Sequence, residues 1–492
     1  MRRAVPLAAL AAVFWQLMAP PVPGIADNGD FAKMLGRYRL SSGVAFEYAN
    51  TKLHFAGKYL YHSGYESSEV LLIAPAVAIG KAISRDGSFD LRAMGAVHAA
   101  LFLLAVFLVV PLLDRAWLGV VLVVVFCDFM YAGFLNSFYM DVAALLFTFL
   151  AAAFYLRAMR WGRARDSAAL GICMLLAVLA GPHYSVMAPW FAIVPWAERG
   201  VLCGGRKTVA AVATVALLGA AWIPYRYLVA ADYAGRNPFN AIFSQILPIS
   251  ANPDRTLAEL GLDGSYRRFK GMTSDWHEVG WSDAEFRREF TRKTGYPTIL
   301  RFYLRHPAGA WNALRSSLDV SGSFQSPLGN FDSGSGRPPA AHYERFRLVS
   351  RVKQRLFFQH GARLFRVDTG LALLVPALLL WKRRELPRGA VTGGIVLAGM
   401  AESMLVASAL ADVFDQFRHQ LVSFALFDML LLCLLWLAAR IVGQAGSLRR
   451  DGIPRGRPCA EAAQTDCATI ETSKPQTGRT IFASRWSPRA TP

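Results

Sequence analysis

The sequence predicts an all-α polytopic membrane protein, a bundle of about ten transmembrane helices with loop domains on its outer face. Of its 492 residues, 54% are hydrophobic and 18% are charged, whereas soluble globular chains carry about 25% charged residues. Runs such as Ala96–Leu113 and Leu421–Leu437 are long and almost free of charge, which is typical of membrane spans. These observations exclude a soluble enzyme, a disordered chain and a secreted disulfide scaffold.

The third observation is the charge balance. The chain carries 53 Lys and Arg against 34 Asp and Glu, a formal net charge of +19. In a soluble protein this excess would indicate nucleic-acid binding, but here the basic residues gather in short loops between apolar runs. The pattern predicts positive-inside loops that face anionic membrane lipids, and no nucleic-acid partner. The six cysteines show no metal-type spacing and predict no structural disulfide.

Ten apolar runs are expected to cross the membrane. They are Ala4–Val22, Leu91–Leu113, Ala116–Leu135, Val142–Tyr155, Ala168–Ala180, Tyr184–Trp196, Val209–Val229, Thr369–Trp381, Ala390–Leu410 and Leu421–Ala439. Arg2 and Arg3 precede the first run, which is interpreted as an uncleaved helix rather than a signal peptide. With ten spans, all basic loops share one side with both termini. That side is predicted to be the cytoplasm, and the membrane a bacterial inner (plasma) membrane.

The short apolar run Val70–Ala82 is the ambiguous one, because it contains Pro75, Gly80 and Lys81. Counting it as a span would place the basic cluster Arg157–Arg165 outside. We therefore expect a helix that lies on or dips into the outer interface.

This topology divides the chain into four parts. Residues 1–229 form an N-terminal transmembrane module whose first outer loop covers residues 24–90. Residues 230–368 form an extracytoplasmic domain, and residues 369–442 contain the C-terminal spans. Residues 443–492 are rich in Arg, Ser, Thr and Pro and are expected to be a disordered, basic cytoplasmic tail.

Three carboxylates are predicted at the outer ends of spans. Asp27 and Asp30 follow the first span with Gly29 between them, and Asp141 opens a later span. Ionisable residues at such positions suggest function, and the first two could aim at a shared point near the membrane surface. The alternative is that these residues cap the helices that follow them.

Two further motifs fall on the same predicted face. His183 and Tyr184 follow a Gly-Pro break between two apolar runs, where the imidazole could serve as a proton donor or base near pH 7 or simply be a satisfied interfacial residue. Arg418 and His419 precede the last span. A guanidinium there suits a phosphate or pyrophosphate, although a salt bridge to Asp412 or Asp415 would also explain it.

On these residues the chain resembles the GT-C membrane glycosyltransferases, which include protein O-mannosyltransferase-like and aminoarabinose-transferase-like families. The resemblance covers residues 1–185 and 370–440. In that family the first outer loop carries the catalytic acid, which matches Asp27 with Asp30 as its companion. A second acidic residue opening the fourth span matches Asp141, and an Arg-His pair opening a late span matches Arg418 and His419. The Lys-Pro break common in the family is here Gly181–His183, without the lysine.

The resemblance implies a GT-C-like bundle and a sugar donor linked to polyprenyl phosphate. Asp27 or Asp30 would act as the base that activates an acceptor hydroxyl of unknown identity. The residues expected to bind the substrate and its phosphate are Asp141, His183, Tyr184, Arg418 and His419. A divalent ion, Mg²⁺ or Mn²⁺, could lie between Asp30 and Asp141, although no cofactor is certain.

Two other functions remain open. A transporter or flippase of a lipid-linked or anionic substrate would use the same residues as a pathway, but it needs charges near span centres, where only Glu402 is evident. A non-catalytic scaffold of an envelope assembly is the third hypothesis.

Overall fold

The computed structural model describes residues 4–41, 45–55, 66–223, 235–411 and 415–451. In these ranges the chain is mainly helical, as expected for an all-α polytopic membrane protein. The described residues up to Arg440 belong to one compact unit.

The helices of the first half are α1 (Ala4–Met18), α2 (Ala32–Leu35), α3 (Val70–Ile83), α4 (Leu91–Val109), α5 (Ala116–Phe126), α6 (Phe129–Ala132), α7 (Asp141–Trp161), α8 (Ala164–Val178), α9 (Ala188–Ala197), α10 (Arg199–Leu202) and α11 (Lys207–Ile223). Those of the second half are α12 (Arg236–Asn240), α13 (Pro253–Glu259), α14 (Ala284–Lys293), α15 (Tyr296–Arg305), α16 (Pro307–Ser321), α17 (Leu348–Phe357), α18 (Gly361–Trp381), α19 (Ala390–Ala411), α20 (Gln416–His419) and α21 (Leu421–Asp451). Short 3₁₀ turns and one π turn join several of them.

Every run expected to cross the membrane contains a helix, but their lengths differ. Among the described helices, five are long and apolar enough to span: Leu91–Leu112, Asp141–Trp161, Gly361–Trp381, Ala390–Ala411 and Leu421–Val442. A sixth candidate, α5 with the segment Phe129–Asn136, is bent by 53°. The helices α1, α8, α9 and α11 have 15, 15, 10 and 17 residues. At a rise of about 1.5 Å per residue they are shorter than the bilayer core of about 30 Å, so ten crossings stay a prediction.

Proline explains the early end of α1. The apolar run continues to Val22, but the helix ends at Met18, just before Pro20, Pro21 and Pro23. Proline lacks the amide donor that a helix interior needs and disfavours helical backbone in the residue before it. The chain therefore leaves the helix there and enters the first outer loop.

The first outer loop contains the only sheet in the described residues. Strands β1 (Leu40–Ser41), β2 (Lys52–Phe55) and β3 (Ser88–Asp90) pair antiparallel in that order, with Leu53 opposite Phe89. Helix α3, predicted to lie at the interface, buries Leu72, Ile73 and Ala76 and packs along α4. This places the loop over one end of the helical bundle.

The region after residue 235 has a separate aromatic core. Its buried rings are Phe239, Phe243, Tyr266, Phe269, Trp281 and Phe290. In the same region, α15 and α16 are separate helices because Pro307 cannot continue the first one.

Backbone pairing joins this region to the first outer loop. The amides of Gly24 and Ala26 donate to the carbonyls of Asn330 and Gly329, each at 2.9 Å. The loop that carries Asp27 and Asp30 is therefore held from two sides, by the bundle and by the later segment.

The last helix extends past the predicted start of the tail. Helix α21 continues to Asp451, whereas the tail was expected from residue 443, and its disorder stays a prediction. The rest of the predicted tail, residues 452–492, and Asp412 lie outside the described residues.

Candidate functional site

The loop after α1 turns sharply at Asp27 and directs Asp30 towards the end of the bundle. Oδ1 of Asp27 accepts hydrogen bonds from the amides of Gly29 at 2.7 Å and Phe31 at 3.1 Å. Asp27 is 1% exposed, and Gly29 has a φ of +102°, which glycine adopts without steric cost. These contacts form a polar turn ahead of α2, whose N-cap residue is Phe31 without a side-chain cap hydrogen bond, whereas the side chain of Asp30 remains 21% exposed.

Asp141 begins α7 and is buried against two residues of the Gly-Pro break. The Tyr184 hydroxyl donates to Oδ1 of Asp141 at 2.5 Å, and Nε2 of His183 lies 3.4 Å from the same oxygen. The break places both rings at this end of the bundle because Gly181 and Pro182 interrupt the helical run before α9. The structure thus brings together His183, Tyr184 and Asp141, which the sequence analysis had placed on the same outer face of the membrane.

Arg418 lies at the centre of the site. Its Nη2 is 2.7 Å from Oδ2 of Asp30, its Nη1 is 3.5 Å from Oδ2 of Asp141, and its Nε is 3.1 Å from Oδ2 of Asp415. The side chain is 3% exposed. Arg418 therefore does form the ion pair with Asp415 that the salt-bridge alternative predicted. It is not a surface pair, however, because the guanidinium is buried and contacts three carboxylates.

Two aromatic and polar contacts complete the surroundings of Arg418. Its guanidinium carbon lies 4.4 Å from the ring centre of Tyr139, a cation–π distance. The Tyr139 hydroxyl donates to the carbonyl of Ala26 at 2.6 Å, which ties the ring to the first outer loop. Nη2 of Arg418 also lies 3.2 Å from Nε2 of His419.

The charges of the site shift two carboxyl pKa values in opposite directions. Burial acts to raise the pKa of Asp30, but Lys33, at 2.5 Å, and Arg418 outweigh it and hold this pKa well below its usual range. Burial raises the pKa of Asp415 to about 6 despite the nearby guanidinium, and the charges of Asp141 and Asp30 add to the rise. Asp30 is consequently ionised at neutral pH.

Asp415 also has an unusual backbone. Its φ is +43°, in the left-handed region that aspartate tolerates better than most residues but still at a cost. Its turn starts α20 and so directs Arg418 inward. Oδ1 and Oδ2 of Asp415 are buried and make no hydrogen bond within the described ranges.

Helix α20 is held in place by a residue of α16. The Ser317 hydroxyl donates to Oε1 of Gln416, and Nε2 of Gln420 donates to that hydroxyl at 2.8 Å. All three residues are buried. This network links the outer region to the helix that carries Arg418, and the sequence analysis did not find it.

The geometry offers a second group of potential metal ligands. A divalent ion between Asp30 and Asp141 was expected, but the guanidinium of Arg418 lies there and contacts both carboxylates. Instead, Asp141, His183 and His419 each offer a ligand atom, and these atoms lie within 4.8 Å of one another. A cation between Asp30 and Asp141 stays a prediction.

Sequence reasoning missed Lys33 and Tyr139, and it treated Asp415 only as a salt-bridge partner. A signal for Lys33 was available, because a residue three positions after Asp30 shares its helical face. The stack of Tyr139 on Arg418 had no local signal.

A second buried polar group lies farther along the spans. Nζ of Lys353 is 2.6 Å from Oδ1 of Asp428, and the Tyr131 hydroxyl donates to Oδ2 of Asp428 at 2.8 Å. Asp368 is also buried, 8% exposed. From the sequence, only Glu402 had been identified as an ionisable residue near a span centre.

Comparison with known proteins identifies the family. No curated protein and no solved structure matches the chain. A family model described as the YfdI N-terminal transmembrane domain matches residues 4–445, nearly the whole length. The chain therefore belongs to the family of the YfdI N-terminal transmembrane domain.

Proposed function

We propose that this integral membrane protein is a GT-C-type glycosyltransferase that moves a sugar from a polyprenyl-phosphate donor to an acceptor hydroxyl. The observation that carries the proposal is the buried contact between Arg418 and the carboxylates Asp30 and Asp141. It supplies a base and a phosphate-binding cation side by side, at the end of the spans where the lipid phosphate of a donor would lie. We further propose that this end faces outwards, with both termini in the cytoplasm of a bacterial cell.

In this reaction the acceptor oxygen attacks the anomeric carbon of the sugar, and the bond from that carbon to the phosphate oxygen breaks. Asp30 takes the proton of the acceptor hydroxyl. The leaving polyprenyl phosphate gains one negative charge, which Arg418 stabilises through its paired N–H donors. Proton and charge are therefore both accounted for within one group of residues.

The contact between Asp30 and Arg418 also suggests how the base becomes active. A carboxylate with a strongly lowered pKa is a weak base. A phosphate that binds Arg418 and Lys33 competes for the cations that hold this pKa down. Its arrival therefore raises the basicity of Asp30 at the moment when the donor is in place.

The other predicted site residues receive distinct roles. Asp27 shapes the turn that directs Asp30, because its carboxylate is bound to backbone amides. Asp141 orients Arg418 through Nη1, and Tyr184 holds Asp141 through its hydroxyl. His183 and His419 line the same space, with ring centres 5.4 Å apart.

The test is a membrane assay with polyprenyl-phosphate sugars and purified full-length protein. Asp30→Asn should lower sugar transfer by about 10²- to 10⁴-fold, the usual effect of losing a general base. Asp27→Asn should also impair transfer, through the turn. The matched control is Asp254→Asn, an exposed carboxylate at the end of the separate aromatic core. Full activity in Asp30→Asn would disprove the catalytic assignment.

A transporter or flippase is the second candidate, and the buried residues Asp428 and Asp368, with the half-buried Lys353 paired to Asp428, favour it. Ionisable residues inside spans often form ion or proton pathways. A flippase would move a labelled lipid across vesicle membranes without forming a new glycosidic bond. Asp428→Asn should then abolish movement, whereas a transferase needs Asp30 for product formation.

A further inference from the structure

Three potential metal ligands meet beside Arg418. Asp141, His183 and His419 come from the start of α7, the Gly-Pro break and α20, and their ligand atoms lie within 4.8 Å of one another. Two imidazoles and one carboxylate are a ligand set that divalent transition metals favour, whereas Mg²⁺ prefers oxygen ligands alone.

The ligand atoms of this group differ in the contacts that they already make. Oδ2 of Asp141 and Nε2 of His183 are buried and make no hydrogen bond in the part of the chain that the structure describes. Asp141 itself is 1% exposed, and its Oδ2 lies 3.5 Å from Nη1 of Arg418, farther than a hydrogen bond. Nε2 of His419 lies 3.2 Å from Nη2 of Arg418. Arginine only donates, so the lone pair of this nitrogen faces Arg418, and a metal ion bound there would take the place of that donor.

The net charge of the site also favours a bound cation. Three carboxylates, those of Asp30, Asp141 and Asp415, surround two cationic side chains, those of Arg418 and Lys33. With neutral imidazoles and ionised carboxylates, this group has an excess of one negative charge. Such an excess repels the phosphate of the proposed donor, and a divalent cation reverses its sign.

We propose that Asp141, His183 and His419 bind a single zinc-class divalent ion, which completes the site for the anionic donor. The inference rests on the proposed function for its substrate, but the site itself does not depend on it. Catalytic zinc has three protein ligands at about 2.0–2.2 Å and keeps one position open. Here the open position is available to a phosphate oxygen, and the second cation would support Arg418 in stabilising the leaving group.

The neighbouring residues fit this assignment. Tyr184 donates to Oδ1 of Asp141, and hydrogen bonds of this kind orient ligating carboxylates. Asp30 and Asp415 offset the repulsion between the ion and the guanidinium, because both lie within 3.1 Å of it.

The first test measures zinc binding to the full-length protein in detergent after treatment with a chelator. We expect one Zn²⁺ per chain by elemental analysis after dialysis, and a rise in the unfolding temperature when Zn²⁺ is added. His183→Gln and His419→Gln should each weaken Zn²⁺ binding by at least about 100-fold, more than the loss of a group that only orients a ligand. His277→Gln, an exposed histidine in the outer region, is the matched control and should bind like the wild type. Mg²⁺ should not replace Zn²⁺ in this assay.

A second measurement uses only the wild type, so it tests the proposal even if the histidine variants do not fold. Co²⁺ added to the chelated wild type should give the visible absorption of a low-symmetry site with nitrogen and oxygen ligands. A thiolate charge-transfer band would place the metal at a cysteine and overturn the proposal. So would a wild type that binds no Zn²⁺, or folded variants that bind it unchanged.

The outcomes separate this inference from the proposed function. Sugar transfer by protein that is shown to bind no zinc would overturn the metal site and leave the glycosyltransferase intact. Zinc bound at the three ligands, without transfer from any polyprenyl-phosphate sugar, would support the site and count against the glycosyltransferase.

Discussion

Replacing Arg418 by lysine tests whether its geometry or only its charge is needed. The guanidinium reaches Asp30 with Nη2, Asp141 with Nη1 and Asp415 with Nε. A lysine ammonium is a single point charge and cannot keep three contacts that diverge in this way. Arg418→Lys should therefore lose at least one charge-assisted hydrogen bond, worth about 1.5–3 kcal/mol.

The donor phosphate should lose a contact of similar strength, because in the proposed function it binds the same paired N–H donors. At about 1.4 kcal/mol per factor of ten, donor affinity and kcat/KM should fall by about 10- to 100-fold. Arg418→Ala should be worse, because it leaves buried carboxylates without their cation, a change that costs about 3–5 kcal/mol. We expect its unfolding temperature to fall as well, so donor binding must be compared on folded protein.

The assay measures binding of a polyprenyl-phosphate sugar and its rate of transfer for both variants. The control is Arg315→Lys, since Arg315 is 58% exposed and its nearest carboxylate, Asp319, is 3.6 Å away. A surface pair of this kind contributes about 0–1 kcal/mol. If Arg418→Lys behaves like this control, the bidentate role is refuted. Unchanged donor binding in folded Arg418→Ala would rule out any phosphate contact.

Three other predictions follow from the topology, the site charges and the packing. A cysteine that replaces Arg163, in the basic loop Arg157–Arg165, should react with an impermeant reagent only after the cells are opened; labelling in intact cells would contradict the ten-span topology. The pKa of Asp415 is raised to about 6 from 3.8, so the folded state binds more protons and stability should fall as the pH rises from about 4 to about 6; thermal unfolding of Asp415→Asn should show a smaller fall. Gly95→Ala should lower the unfolding temperature, since its Cβ would lie 1.9 Å from Oδ1 of Asn136 and overpacking costs about 1–3 kcal/mol; an unchanged temperature would show that Asn136 moves aside freely.

The sequence by itself determined the class of the protein and the end of the bundle where its polar residues gather. Apolar runs and charge asymmetry are properties of consecutive residues, so they predicted helices at all ten positions. A polar residue at the end of an apolar run can be recognised from the sequence alone. The same local patterns therefore identified Asp30, Asp141, His183, Tyr184, Arg418 and His419.

Only the tertiary structure decided which of these residues meet and what each one contacts. It turned Asp27 towards backbone amides, placed the Arg418 guanidinium between Asp30 and Asp141, and left Asp141 beside two imidazoles. Such contacts join segments far apart in the chain, and they depend on how all the spans pack and where each helix breaks. No local pattern contains that information, because the energy of a buried charge depends on every group around it and not on its neighbours in sequence.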